Sequence, residues 1–163
     1  METEMQRRPF LFAAAASLAG ATPLVARAHH GWGSFDATQP IYLEGVARRV
    51  TWRNPHAELL LEVASPLALP ADLAQRPVPA QTASVDGRAL LSQARLPRRS
   101  DRQWQIELAP LSRMSAWQVK EIQAGDRVAV LGYTFPQEAG EAILRVEVLW
   151  SGGGTYALRS SPA

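Results

Sequence analysis

The sequence predicts an all-β fold, and three observations lead to this prediction. Five or six short strand-like segments recur along the chain, and turn signals separate them. The segments do not alternate with helices in the way that a parallel sheet requires. The run Ala124–Tyr133 contains a turn and then a strand, an order that is common in OB-like barrels. We therefore expect a small OB-like antiparallel barrel of five to six strands, with a β-sandwich as the alternative.

The first two strands are expected on either side of a turn at Asn54-Pro55. Ile41–Trp52 alternates imperfectly, and a β-bulge at Gly45 would account for the imperfection. His56 opens the second strand, which runs to about Val63. This histidine thus lies where a proline-containing turn meets a strand.

Residues 64–100 form a long insertion whose composition shifts to Pro, Ala, Gln and Arg. We expect an irregular excursion over the surface, with a short helix near residues 71–75 or 90–95. Four arginines lie close together at its end, and we interpret them as part of a solvated loop: Arg95, Arg98, Arg99 and Arg102. No function is assigned to this insertion.

The remaining strands follow the insertion. A short helix or turn is expected at residues 111–121, between the third and fourth strands. The strands themselves are expected at residues 103–108, 127–133 and 142–150, with a last short one at 155–159 after three glycines. These elements complete a single domain over residues 29–163.

Residues 1–28 are interpreted as a cleavable signal peptide. Arg7-Arg8 precedes an apolar run from Phe10 to Gly20, and the segment ends in Ala26-Arg27-Ala28. The apolar run is shorter than the roughly 20 residues of a membrane span, which disfavours a retained anchor. The paired arginines favour twin-arginine translocation over the general secretory route. We therefore expect a periplasmic protein that has no membrane span after processing and that begins at His29.

Charge and cysteine content exclude several classes of function. Cleavage after Ala28 removes three arginines and two glutamates and leaves 14 basic and 13 acidic side chains. This near balance, without a basic patch, does not favour nucleic acid as a partner. The chain contains no cysteine, which excludes thiolate metal sites, thiol nucleophiles and disulfides. Neither a nucleophile elbow nor a phosphate-binding glycine loop is present, so the residues favour a binding protein over an enzyme.

The three histidines of the chain provide the candidate site. His29 and His30 directly follow the expected cleavage position, and His56 is the third. A free N-terminal histidine can chelate one metal ion through its α-amine and Nδ1, and a second imidazole completes a T-shaped set of three nitrogens, known as a histidine brace. Such nitrogen-rich sites suit Cu(II). We predict that His29 and His56 bind copper with His30 as an auxiliary ligand, and zinc is the runner-up metal.

Other interpretations of these polar residues stay open. The adjacent histidines could be solvated, and His56 could serve as a cap or a hydrogen-bonding group. Carboxylates at Asp36 or Glu58 could fill an axial position or orient a ligand, although turn caps and exposed strand positions are more common roles. Further candidates of the same kind are Glu44, Asn54 and, as a soft ligand, Met114. The five tryptophans are expected mainly in the core.

Several short motifs together resemble an exported bacterial family, the domain of unknown function numbered 6152. They are Ala28-His29-His30, Ser34-Phe35-Asp36, Leu43-Glu44-Gly45-Val46, Trp52-Arg53-Asn54-Pro55-His56-Ala57, Gly125-Asp126-Arg127-Val128 and Gly132-Tyr133. The resemblance implies an exported β-barrel-like domain and no established activity. The insertion at residues 64–100 departs from the family in its length.

The sequence thus leads to two hypotheses from different classes. The first is a periplasmic metal-binding protein that acts as a carrier or sequestering module, with copper as the predicted metal. The second is a metal-free OB-like module that binds a small ligand or a periplasmic protein partner through its tryptophans. A copper monooxygenase is a third and weaker idea, because it needs an open site that faces a substrate.

Overall fold

The computed structural model describes residues 31–163, and these residues form an OB-like barrel. Its six strands are β1 (Ile41–Thr51), β2 (Glu58–Val63), β3 (Gln103–Glu107), β4 (Arg127–Tyr133), β5 (Ile143–Ser151) and β6 (Gly154–Ala157). Two short α-helices are α1 (Gly87–Ser92) and α2 (Leu111–Ala116), and 3-10 turns occur at Trp32–Ser34, Leu73–Gln75 and Pro136–Glu138. The predicted all-β class is confirmed.

The barrel closes through a parallel pair of strands. The strands lie in the order β3-β2-β1-β4-β5-β6, and β3 also pairs with β5. The contact between β3 and β5 is parallel, whereas the other pairings are antiparallel. Five strands therefore form a closed barrel, and β6 extends the sheet beyond β5. Closure removes the exposed edges that an open sheet of this size would present.

Gly45 has a different role from the predicted one. The irregularity in β1 falls between Ala47 and Arg49 in the pairing with β2, not at Gly45. A Cβ at Gly45 would instead overlap the backbone carbonyl of Glu62 on β2. Glycine is needed at this position because β1 passes very close to its neighbour while it pairs with β2 and β4.

The barrel interior is filled by the alternating apolar residues that predicted the strands. Trp104, Leu61, Ile106 and Leu144 are among the largest fully buried side chains of this interior cluster. Met114 of α2 is 1% exposed and packs in the same cluster, so its role is packing and not metal ligation. Burial of each such large side chain stabilises the fold by about 1.5–3 kcal/mol.

The insertion at residues 64–100 packs against the outside of the barrel and is not only a surface excursion. Leu73, Leu90 and Leu91 are buried in a second apolar cluster that includes outward-facing residues of β4 and β5. Asp86 caps α1 by accepting a hydrogen bond from the Ala89 amide. The predicted short helices are present, but the sequence pattern did not reveal that one side of the insertion covers the barrel wall.

Three of the four clustered arginines are anchored, contrary to the predicted solvated loop. The Arg95 guanidinium forms an ion pair of 2.6 Å with Glu138, a carboxylate that is almost completely buried. The amides of Arg98 and Arg99 donate to the same carboxylate. The burial of Glu138 explains the difference, because a buried carboxylate needs charged and hydrogen-bonding partners. These contacts fasten the end of the insertion to the loop between β4 and β5.

Candidate functional site

The first described residues lie along the outer wall of the barrel. Phe35 is buried and stacks on Phe135, with ring centroids 5.2 Å apart and an interplanar angle of 10°. The amide of Asp36 donates to the carbonyl of Thr134 at 2.8 Å. The segment that follows His30 is therefore fixed on the loop after β4 before the chain enters β1.

Trp32 is held on this wall by two arginines. The guanidinium carbon of Arg159 lies 3.9 Å from the centre of the Trp32 ring, and that of Arg145 lies 5.1 Å from it. Both contacts are in the range of cation–π interactions. Arg159 is itself oriented by an ion pair of 2.7 Å with Glu147, whose side chain is fully buried. The position of Trp32 thus depends on charged groups anchored in or beside β5.

Arg145 joins this segment to His56. Its Nη2 lies 3.3 Å from His56 Nε2, and its Nη1 lies 3.2 Å from Glu107 Oε2. Arg145 and Glu107 are only 5% and 6% exposed, and His56 is half-buried. We refer to His56, Glu107 and Arg145 as the His–Glu–Arg cluster.

Strand register explains why these three residues meet. Glu107 of β3 is paired with Glu58 of β2 on one side and with Arg145 of β5 on the other. His56 precedes Glu58 by two residues, and residues two apart along an extended chain point to the same face. Ala57 and Ile106, their neighbours along the chain, belong to the apolar cluster inside the barrel. The His–Glu–Arg cluster therefore lies on the outer wall.

Arg145 is the hydrogen-bond donor of the cluster. A guanidinium only donates hydrogen bonds, so His56 Nε2 accepts in its contact with Arg145. The Arg145 Nε is buried and finds no hydrogen-bond partner among residues 31–163. Burial and the nearby charge of Arg145 lower the pKa of Arg113, which donates to the Leu158 carbonyl. Arg113 therefore lies close enough to Arg145 for their charges to interact.

The structure places the other candidate residues in ordinary roles. Asp36 accepts hydrogen bonds from Thr38, which lower the pKa of its carboxyl group, and Glu44 accepts one from Tyr42 at 2.6 Å. Asn54 accepts from the Leu111 amide, and Glu58 accepts from Gln105. Of the predicted ligands, His56 lies in the cluster, while His29, His30 and the predicted signal peptide lie outside the described residues.

The described residues alone do not form a metal centre. Within residues 31–163, no group of three or more His, Asp and Glu side chains could hold a metal ion. In the same range, none of the helices combines the length and apolar character of a membrane-spanning segment.

Four residues of this wall were missed in the sequence. Glu107 and Arg145 are charged strand residues, and their low exposure is the structural sign of a specific role. Trp32 and Arg159 lie in short segments near the two ends of the described residues. The charged residues within the largely apolar β5 were the available signal, but the partner of Arg145 could not be identified before the pairing of β3 with β5 was known.

Comparisons with known proteins find one family model, which matches the first part of the chain. No curated protein and no solved structure matches the chain. Residues 16–71 match the model of a family of unknown function (DUF6152), and this match confirms the resemblance found in the sequence.

Proposed function

We propose that this is an exported periplasmic metal-binding protein and that the metal it binds is copper. The metal ion is held by the N-terminal amine and imidazole of His29 and by His56, with His30 as an auxiliary ligand. Zinc is the alternative metal. The protein acts as a carrier or a sequestering module, and no chemical step is assigned to it.

One observation carries the proposal. Trp32 is fixed beside Arg145, and Arg145 contacts His56. Residue 29 is three residues before Trp32, and three residues span at most about 10 Å when extended. A chain that begins at His29 therefore has its terminus within reach of His56.

The chemistry of these donors suits copper. An α-amine and two imidazoles supply three nitrogen donors, and copper heads the affinity order of divalent first-row ions at such sites. The segment is already held by contacts of Trp32, Phe35 and Asp36. Less conformational entropy is therefore lost when the terminus binds a metal ion. An anchored terminus therefore binds more tightly than a free His-His peptide with the same donors.

The proposal is tested by changing the donors one at a time in the processed protein. Calorimetric titration with a Cu(II) salt should give one tight site, and His56→Ala should weaken it by at least about tenfold, the loss of one ligand. A Gly-Ser extension before His29 should weaken it similarly, because the α-amine moves away. The same extension at the C-terminus is the matched control. Equal affinities for both extended proteins would rule out the terminal amine as a ligand.

A pocket on another part of the wall supports a second candidate function. It has a volume of about 390 Å³ and is lined by Trp150, Glu44, Arg127 and the β5–β6 turn at residues 151–154. An aromatic ring beside charged groups suits a small polar ligand, as a metal-free binding module would require. Quenching of tryptophan fluorescence by a ligand in wild type but not in Trp150→Phe, without any copper binding, would favour this function.

A further inference from the structure

We infer that the pocket beside Trp150 binds the zwitterion of a small apolar amino acid. The inference rests on the second candidate function, because it names the ligand of the metal-free module, and it requires no metal ion. In this arrangement Glu44 binds the ammonium group of the ligand and Arg127 binds its carboxylate. The Trp150 ring packs against the apolar side chain of the ligand.

Strand register builds this pocket from one row of residues across four strands. Glu44 of β1 is paired with Ala129 of β4, and Ala129 is paired with Trp150 of β5. Trp150 in turn is paired with Thr155 of β6. Paired residues point to the same face of a sheet, and Ala129 and Trp150 pack against the second apolar cluster, on the outer wall. The short side chain of Ala129, between two larger ones, leaves room for the pocket of about 390 Å³.

Two opposite charges line the pocket without neutralising each other. Arg127 precedes Ala129 by two residues along β4, so both side chains point to the same face. This position is diagonal to Glu44, and diagonal neighbours on a sheet lie about 7–8 Å apart. Arg127 forms no ion pair with any of residues 31–163. A ligand that carries a positive and a negative group can therefore bridge these two side chains.

Glu44 is held in position by a residue of the outer wall. Its Oε2 accepts a hydrogen bond of 2.6 Å from the hydroxyl group of Tyr42, whose side chain is fully buried. Burial and this hydrogen bond raise the pKa of Tyr42, so the hydroxyl group keeps the proton that it donates. A carboxylate that is already oriented loses less side-chain entropy when it binds an ammonium group.

The rest of the pocket favours a ligand that is small and apolar. Ala64 and Ala129 line it beside the Trp150 ring. The β5–β6 turn forms one rim, and a Cβ added at Gly152 or Gly153 would meet no atom of the described residues within 4 Å. This rim is therefore uncovered. The volume lies near the lower end of the range of roughly 300–1,000 Å³ that is usual for ligand pockets, which suits an amino acid.

The experiment compares three related compounds as probes in calorimetric titrations of the wild-type protein. L-leucine carries both charges, N-acetyl-L-leucine carries only the carboxylate, and L-leucinamide carries only the ammonium group. L-leucine should bind at least about tenfold more tightly than either of the others, because each of them loses one charge-assisted contact. This comparison does not depend on the folding of any variant.

Two variants assign the charges to their residues. Glu44→Gln keeps an acceptor for the Tyr42 hydroxyl group, and it should weaken binding of L-leucine and L-leucinamide by about tenfold while N-acetyl-L-leucine binds as before. Arg127→Gln should instead weaken L-leucine and N-acetyl-L-leucine and leave L-leucinamide unchanged. Glu141→Gln and Arg88→Gln are the matched controls, since they remove exposed charges that do not line the pocket. Both controls should bind L-leucine as wild type does.

The outcomes separate this inference from the function on which it rests. If the three compounds bind wild type equally and Trp150→Phe weakens all of them, the pocket binds small ligands without recognising their charges. The inference is then wrong and the second candidate function stands. If L-leucine does not bind, the inference is also wrong. The second candidate function fails with it when neither of the other compounds binds and the protein binds Cu(II).

Discussion

The guanidinium carbon of Arg159 lies 3.9 Å from the centre of the Trp32 ring. This contact links the segment that follows His30 to the end of the chain and, through Glu147, to the interior of β5. The Trp32 indole thereby helps to fix the N-terminal segment on the barrel, together with Phe35 and Asp36. It also places that segment beside the guanidinium of Arg145 and, through it, close to His56.

Replacement of Trp32 should therefore weaken metal binding more than it destabilises the fold. In Trp32→Ala the N-terminal segment loses two cation–π contacts, each worth about 0.5–2 kcal/mol. We expect at least about a tenfold loss of Cu(II) affinity by calorimetry, with a small change in melting temperature. Trp32→Phe should recover part of the affinity.

The matched control for Trp32 is Arg76→Ala. It removes a cation–π contact of 5.6 Å from Trp150, a different tryptophan of the outer wall. Its Cu(II) affinity should equal that of wild type. An equal loss in both variants would mean that Trp32 acts through general stability and not by positioning the terminus.

The buried carboxylate of Glu138 should make stability depend on pH. Burial raises the pKa of Glu138, but hydrogen bonds from the Arg95 side chain and the amides of Arg99 and Arg98 outweigh it and lower this pKa. A carboxyl group whose pKa is lower in the folded state stabilises the fold above its unfolded pKa, and this contribution is lost as the pH falls through the folded value. Glu138→Gln should therefore destabilise the protein by about 2 kcal/mol at pH 7, and the difference from wild type should shrink below about pH 4.5.

Urea unfolding from pH 7 to pH 3 measures this dependence. Glu62→Gln is the comparison, because Glu62 forms an exposed ion pair with Arg48 and should contribute little at any pH. A constant difference between wild type and Glu138→Gln across this range would show that the Glu138 charge is not the source of the stabilisation.

The second apolar cluster predicts that the insertion contributes to global stability. Leu91 is 3% exposed and packs in the cluster on the outer wall, whereas Leu69 of the same insertion is 41% exposed. Leu91→Ala should lower the free energy of unfolding by about 2–5 kcal/mol, the cost of a large-to-small change in a core. Leu69→Ala should have little effect. Equal denaturation midpoints for the two variants would mean that the insertion unfolds independently of the barrel.

Much of the fold could be predicted because strand alternation is a local property. The β1, β2, β4 and β5 segments are rich in apolar residues and bounded by turn signals, and their predicted bounds differ from the observed ones by only one or two residues at most ends. The outward burial of Leu90 and Leu91 could not be predicted in the same way. It depends on a wall formed by strands 40 to 60 residues away in the sequence.

The residues of the candidate site also differ in whether the local sequence could identify them. His56 was identified from its place after Asn54-Pro55, a local feature of the sequence. Glu107 and Arg145 meet because β3 pairs with β5 in parallel register, and no neighbouring residue indicates that pairing. The contacts of Arg145 with His56 and Glu107 could therefore be identified only once the pairing of β3 with β5 was known.

The close approach of strands should make two glycines irreplaceable. A Cβ at Gly132 would overlap the carbonyl of Arg145, and one at Gly45 would overlap the carbonyl of Glu62. Gly132→Ala should lower the free energy of unfolding by about 3 kcal/mol or more, because backbone atoms of a paired strand must move.

Gly45→Ala tests the same argument at a different pair of strands. It should be destabilising to a similar degree in urea unfolding, yet its overlap lies on the β1–β2 side and leaves the backbone of Arg145 in place. Gly33→Ala is the neutral reference, because a Cβ there meets no atom of residues 31–163 within 4 Å. If Gly132→Ala and Gly45→Ala fold as stably as Gly33→Ala, the strands are not as closely paired as the register of β4 with β5 and of β1 with β2 requires.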